Sequence, residues 1–305
     1  MTTGELGRRS TAEAALRGRS LRGLRAIVTG ASSGLGVETT RVLAQAGADV
    51  ILACRDVAAG NAVAASLRKG LGARAGTLEV HALDLADLLS VRSFAAAMRG
   101  RGAPLDLLIN NAGIMATPQG LTAQGHELQL GTNHLGHFLL TALLRPPLEA
   151  APAARVVTLA SGLHVRGRGE RMLDTLRDDP GYVRRKYVRF DAYGDAKLAN
   201  VLFARALAQR LPTNVTSFSV HPGVIATGLS RGMGPLGAVF RFVGRPFMKS
   251  VAQGAATTIF AATAPELRSH SGAYLSDCAV AQASADGRDD SLAQTLWDVS
   301  ERLVG

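Results

Sequence analysis

Short apolar runs and helical patterns alternate along most of this chain, and that alternation restricts its fold more than any other feature. Leu24 to Thr29 is the first run, and it ends at a glycine turn. Residues 36 to 46 read as a helix stopped by Gly47, Asp49 to Ala53 as a strand, and Ala58 to Lys69 as a helix ended by Gly70. Thr77 to Leu83 alternates as a strand, Leu88 to Met98 is helical, and Leu105 to Ile109 is a continuous apolar strand. Residues 126 to 144 read as one long helix, Arg155 to Leu159 as a strand, 194 to 210 as a helix and Val215 to Val220 as a strand. Strands that are apolar throughout need cover on both faces. The order predicts an α/β fold: a parallel sheet between two layers of helices.

The 305 residues suffice for one large core, and no internal repeat or second core is visible. Residues 1 to 20 are polar and rich in Gly and Arg, and read as a disordered basic lead. Residues 21 to 305 then read as a single domain. Two stretches, 163–191 and 228–249, interrupt the rhythm where loops at the carboxyl edge of the sheet belong, and such edges bind ligands.

The formal charge of +10 raises nucleic acid as a partner. Its distribution argues against one. Residues 1–25 hold six arginines and two glutamates, and residues 164–189 hold eight Lys/Arg and four Asp/Glu. The excess therefore reads as a solvated basic surface on an arm and an insert. No apolar run is long enough for a membrane span. Arg8-Arg9-Ser10 lacks the apolar run of a twin-arginine export signal. With only Cys54 and Cys278, a reducing cytoplasm fits.

The turn after the first run carries the first chemistry. Thr29-Gly30 follows the strand directly, and Gly34 and Gly36 open the next helix. Glycine lets the chain turn sharply and lets a pyrophosphate approach the backbone, while a helix N-terminus offers free N–H groups. Gly30, Ser32, Ser33, Gly34, Leu35 and Gly36 are thus a phosphate cradle. The second strand ends Ala53-Cys54-Arg55-Asp56, without the acid at the strand end that holds an NAD ribose. Arg55 there matches a 2′-phosphate, so NADP(H) is favoured over NAD(H). Asp84 and Leu85, after the third strand, suit the adenine edge, although an Asp there also serves as a helix N-cap.

Tyr193 and Lys197 are four residues apart, on one face of a predicted helix. A phenol titrates near 10, and a nearby ammonium favours the phenolate. Tyr193 then delivers the proton that hydride transfer to a carbonyl requires. Lys197 can also bind the nicotinamide ribose. Ser161 supplies a hydroxyl to orient the carbonyl, and Asn133 can anchor a water connecting Lys197 to solvent. Tyr182 and Lys186 share the same spacing, but no apolar helical pattern follows them. Tyr193 instead leads into Leu198-Ala199-Asn200-Val201-Leu202-Phe203.

Thr29 to Gly36, Asn110 to Gly113, Asn133, Ser161, Tyr193, Lys197 and Pro222 to Thr227 together resemble the short-chain dehydrogenase/reductase family, over roughly residues 22 to 280. Within it, Asn133-His134-Leu135-Gly136-His137-Phe138, Tyr193 to Asn200 and His221 to Val224 are similar to the retinol dehydrogenase and WW-domain oxidoreductase group. The resemblance implies a Rossmann-type doubly wound sheet of about seven strands. It implies a catalytic tetrad of Asn133, Ser161, Tyr193 and Lys197. It also implies cofactor contacts from Asn111, Ala112, Gly113, Pro222, Gly223, Val224 and Thr227. Two features depart from the family: Ala160 stands where a serine is common, and 32 residues separate Ser161 from Tyr193.

The expected activity is NADP(H)-dependent interconversion of a carbonyl and an alcohol on a hydrophobic small molecule. The apolar, glycine-hinged stretch 228–249 would act as a substrate loop. The alternative is a nucleotide sensor or scaffold without turnover. Sensors commonly lose the Tyr or Lys, and this chain keeps both. A nucleotide-sugar epimerase is opposed by the lack of a large substrate domain after Thr227. A second copy of the chain, in a homo-oligomer, is the other candidate partner.

Overall fold

The computed structural model describes residues 5–225 and 248–305. One sheet runs through it, built from β1 (Arg25–Thr29), β2 (Asp49–Cys54), β3 (Leu78–Ala82), β4 (Leu107–Asn110), β5 (Ala154–Leu159), β6 (Val215–His221), β7 (Tyr274–Ser276) and β8 (Ala279–Ala281). Their order is β3-β2-β1-β4-β5-β6-β7-β8. Every pairing is parallel except β7 with β8. The sheet thus has eight strands, not about seven. The extra one is a three-residue edge strand, Ala-Val-Ala, too short to leave a pattern. The turn before it puts Asp277 and Cys278 at φ of 52° and 60°, the left-handed geometry of a tight hairpin, without a glycine to announce it.

The helices are α1 (Ala12–Leu16), α2 (Gly34–Gln45), α3 (Val57–Gly70), α4 (Leu88–Arg99), α5 (Leu128–Leu130), α6 (Gly136–Leu143), α7 (Arg145–Glu149), α8 (Gly169–Arg177), α9 (Arg189–Ala208), α10 (Val251–Gly254), α11 (Ala256–Thr263) and α12 (Asp290–Val304). On one face α4, α6, α8, α9 and α12 bury a core around Phe138, Phe203 and Trp297. The Phe138 and Trp297 ring centres are 4.8 Å apart, edge to face. On the other face α1, α2, α3 and α11 cover Val28, Leu52 and Phe218. Strands buried on both faces explain the continuous apolar runs, and each buried Val or Leu contributes about 1.5–3 kcal/mol.

Sheet order positions the site. From β1 the chain winds outward to β3, then crosses back to place β4 on the other side of β1. The crevice at the carboxyl ends of β1 and β4 is where such folds bind ligands.

Three expectations change. Residues 1–20 were expected to be a disordered lead, but 5–20 fold: α1 buries Ala12 and Ala15, and Arg17 pairs with Glu266 at 3.2 Å. Residues 126–144 were expected to be one helix. Instead a π-helical turn, Gly131–Leu135, separates α5 from α6. Flanking glycines allow neighbours to press in: a Cβ on Gly136 would meet the Leu85 carbonyl oxygen at 2.4 Å. The 163–191 insert, read as a loop, holds a 3₁₀ turn (Gly162–Arg166) and α8, with Met172 and Leu176 buried. It is pinned to α9 by Asp195, which accepts from Arg168 N at 2.9 Å and from Arg171 Nε and Nη2 at 2.8 Å.

Candidate active site

A cavity of about 580 Å³ opens at that crevice. Thr29, Gly30, Ser32, Ser33, Gly34 and Leu35 line its floor; Arg55, Asp84 and Leu85 line one end, and Tyr193 and Lys197 the other. Asn111, Ala112, Gly113 and Pro222 lie between. Ala53, Ile114, Met115, Thr117 and Thr132 also face it and carry no pattern that would single them out.

The floor fits a pyrophosphate. Gly30 sits at φ 65°, and a Cβ there would lie 2.9 Å from Ala112 Cα. On Gly36 a Cβ would lie 2.4 Å from the Gly30 carbonyl oxygen. Ser33, at the N-cap of α2, makes no capping hydrogen bond, so the helix N–H groups remain for a ligand. Asp56 cannot act as a free ribose acid in this conformation, because its carboxylate caps α3 through Ala59 N at 2.9 Å. Arg55 is exposed and makes no hydrogen bond or ion pair with a described residue. Asp84 is not the cap of α4; Asp87 is, while Asp84 accepts from Ala86 N at 2.9 Å.

Tyr193 and Lys197 sit on α9, both nearly fully buried. The Lys197 ammonium lies 5.7 Å from the Tyr193 ring centre and donates to the Leu159 carbonyl at 2.8 Å. Burial pushes the Tyr193 phenol up to about 12, opposed by a hydrogen bond with Ser161. Burial also pulls Lys197 down to about 8. The expected depression of the Tyr193 pKa by Lys197 is therefore not what this geometry produces: desolvation wins. Tyr182 is elsewhere. It stands at φ 55° outside any helix, with the Arg185 guanidinium 5.2 Å from its ring centre.

Ser161 follows β5, and its Oγ accepts from Leu163 N at 3.1 Å. Its own hydroxyl hydrogen goes to Tyr193, where it favours the phenolate. Asn133 lies in the π-helical turn. Both ends of its amide bond the Ile114 backbone, Oδ1 from N at 2.8 Å and Nδ2 to O at 3.0 Å. Gly113 separates it from Lys197: a Cβ there would lie 3.2 Å from Asn133 Oδ1 and 3.5 Å from Lys197 Nζ. Val224 and Gly223 lie beside Lys249, and neither lines the cavity. Thr227 and residues 228–247 of the expected 228–249 loop lie outside the described residues.

Sequence reasoning missed the histidines. Thr29 Oγ1 accepts from Asn111 N and Ala112 N, both at 2.9 Å, and lies 2.9 Å from His137 Nε2. His137 Nδ1 donates to the Asn133 carbonyl at 3.0 Å, so Nε2 is the acceptor and takes the Thr29 hydroxyl hydrogen. This buried ring, held down to about 4 by desolvation, links the phosphate loop to the π-helical turn. The motif Asn133 to Phe138 was the available signal, but spacing alone did not reveal its partners.

A family model described as short chain dehydrogenase matches residues 25–171. Retinol dehydrogenase 12 of Mus musculus is 41% identical over 280 residues, 92% of this chain and 85% of that protein. The chain belongs to the short-chain dehydrogenase/reductase family. The WW domain-containing oxidoreductase of Gallus gallus is 40% identical, over 97% of this chain and 71% of that protein. Among solved structures, a putative NAD(P)-dependent gluconate 5-dehydrogenase from Beutenbergia cavernae, with bound NADP, superposes with a TM-score of 0.66. It is 25% identical and covers 85% of this chain and 96% of its own. Family membership makes the chain an oxidoreductase of alcohols and carbonyls that uses NAD(P).

Proposed function

We propose that this protein is an NADP(H)-dependent oxidoreductase that interconverts a carbonyl and an alcohol on a hydrophobic substrate in the cytoplasm. The observation that carries the reading is that Tyr193 and Lys197 line one end of a cavity, with the Ser161 hydroxyl bonded to Tyr193. The other end holds an uncapped helix N-terminus and an Arg55 with no partner among the described residues. When bound, the nicotinamide supplies or takes the hydride.

The chain's own residues do the rest. Gly30 to Gly36 receive the pyrophosphate, and Arg55 receives the 2′-phosphate in a charge-assisted contact. Ser161 turns its hydroxyl hydrogen from Tyr193 to the substrate oxygen and polarises it. Tyr193, held protonated by burial, gives its proton to that oxygen during reduction. Lys197 binds the ribose, and Asn133 fixes Ile114 beside it. Ile114, Met115, Leu159 and Ala160 give this end an apolar wall, which supports an apolar substrate.

A panel of straight-chain aldehydes from butanal to decanal, aryl ketones and the matching alcohols, each with NADPH or NADH (NADP or NAD for the alcohols), tests the reading. Turnover should rise with chain length and prefer NADPH. If cofactor binds but no member turns over, the sensor reading gains.

A further inference from the structure

We propose that His164 is a positioning residue for Ser161. The inference rests on the reading of Ser161 as the hydroxyl that orients the substrate.

The peptide unit joining Ser161 to Gly162 is held at both ends by imidazoles. Its carbonyl oxygen accepts from His164 Nδ1 at 2.7 Å. Its N–H donates to His221 Nδ1 at 2.9 Å. These partners fix the tautomers. A carbonyl only accepts, so His164 carries its hydrogen on Nδ1. Its Nε2 then holds a lone pair, which accepts from Ser284 N at 3.0 Å. His221 must offer a lone pair at Nδ1 and so carries its hydrogen on Nε2.

The consequence is geometric. Ser161 lies just beyond the end of β5, in extended backbone at φ −158° and ψ 156°. The plane of the following peptide sets ψ, and ψ with χ1 sets where Oγ points. His164 fixes that plane from Ser284, which follows β8, and His221 fixes it from the end of β6. The His164 ring is itself wedged, buried and 4.9 Å from the Tyr274 ring centre. Two elements distant in sequence therefore hold the backbone whose hydroxyl meets Tyr193 at the cavity. A leucine at 164 would fill the space yet leave the carbonyl only the backbone N–H of residue 164, at 3.1 Å, without the shorter imidazole bond. An asparagine would keep a donor near the place of Nδ1.

The test uses the full-length protein with decanal and NADPH, reading kcat, KM and the NADPH dissociation constant. His164→Leu should lower kcat by about tenfold or more, as displacement of an oriented group does. NADPH affinity should stay within about twofold, since the phosphate cradle is remote from this peptide. His164→Asn should recover most of kcat. In a Ser161→Ala background, His164→Leu should cost less than about twofold further, because a residue acting through another has nothing left to orient. A full multiplicative loss in that background, or an Asn variant as poor as the Leu variant, overturns the proposal. Should Ser161→Ala alone leave kcat unchanged, the functional reading of Ser161 falls and takes this inference with it. Additivity sinks the inference only.

Discussion

The Lys197 ammonium approaches the Tyr193 ring to 5.7 Å from its centre but spends its hydrogen bond on the Leu159 carbonyl. Each group is shifted by burial toward its neutral form, Tyr193 up to about 12 and Lys197 down to about 8. A protonated phenol near neutral pH suits the donor's part in reduction. Lys197 is charged below about pH 8 and loses that charge above it. Reductive kcat/KM should therefore stay level through neutrality and fall above about pH 8. Lys197→Arg should remove that limb, because a guanidinium does not titrate there. A wild-type profile flat to pH 10 would show that the ammonium charge is not what the reaction uses.

Tyr193→Phe removes a hydroxyl that lines the cavity and leaves the ring in its packing. Loss of a general acid costs about 10²–10⁴-fold, so turnover should fall by that much with cofactor binding intact. Tyr182→Phe should cost activity little, because Tyr182 lies outside the cavity lining. Steady-state kinetics on both variants decide the matter. Exchanged phenotypes would mean the wrong tyrosine has been assigned.

What the sequence made legible was what local spacing encodes. Gly30 and Gly36 mark a strand–turn–helix junction because only glycine tolerates Ala112 and the Gly30 carbonyl so close, and Gly34 takes the left-handed φ of 54° between them. Tyr193 and Lys197 are readable because four residues make one helical turn. Features that depend on distant partners were not. Ala12 and Ala15 look featureless in sequence, yet they are fully buried against the core that includes α11. The π-helical turn answers to pressure from Leu85 and Thr122 on Gly136 and Gly131. The role of His164 depends on an amide 120 residues away. Asp195 sits inside the Tyr-x-x-x-Lys spacing as an unremarked residue, although it anchors a whole insert.

Arg55 tests the cofactor preference. It stands at the end of β2 with no described partner, while the neighbouring Asp56 is committed to capping α3. Arg55→Ala should weaken NADPH by about 1.5 kcal/mol, roughly tenfold, the low end for a hydrogen bond to a charged group because the site is exposed. NADH should change little. Equal losses for both cofactors in a fluorescence titration would return Arg55 to the role of a solvated surface arginine.

The last prediction concerns the insert. Asp195 is almost completely buried, and its carboxylate holds both the Arg168 amide and the partly exposed Arg171 guanidinium. Asp195→Ala leaves that amide and that charge without their acceptor. Breaking a buried pair from one side costs about 3–5 kcal/mol, and the solvent reaching Arg171 argues for the lower figure. For a domain of this size, that is a fall in Tm of roughly 5 °C. Asp195→Asn keeps an oxygen for the Arg168 amide and should lose about half as much. Limited proteolysis should then cut first between residues 163 and 191, because α8 has lost its tie to α9. A Tm within about 1 °C of wild type for Asp195→Ala would mean that Met172 and Leu176 hold the insert by packing alone.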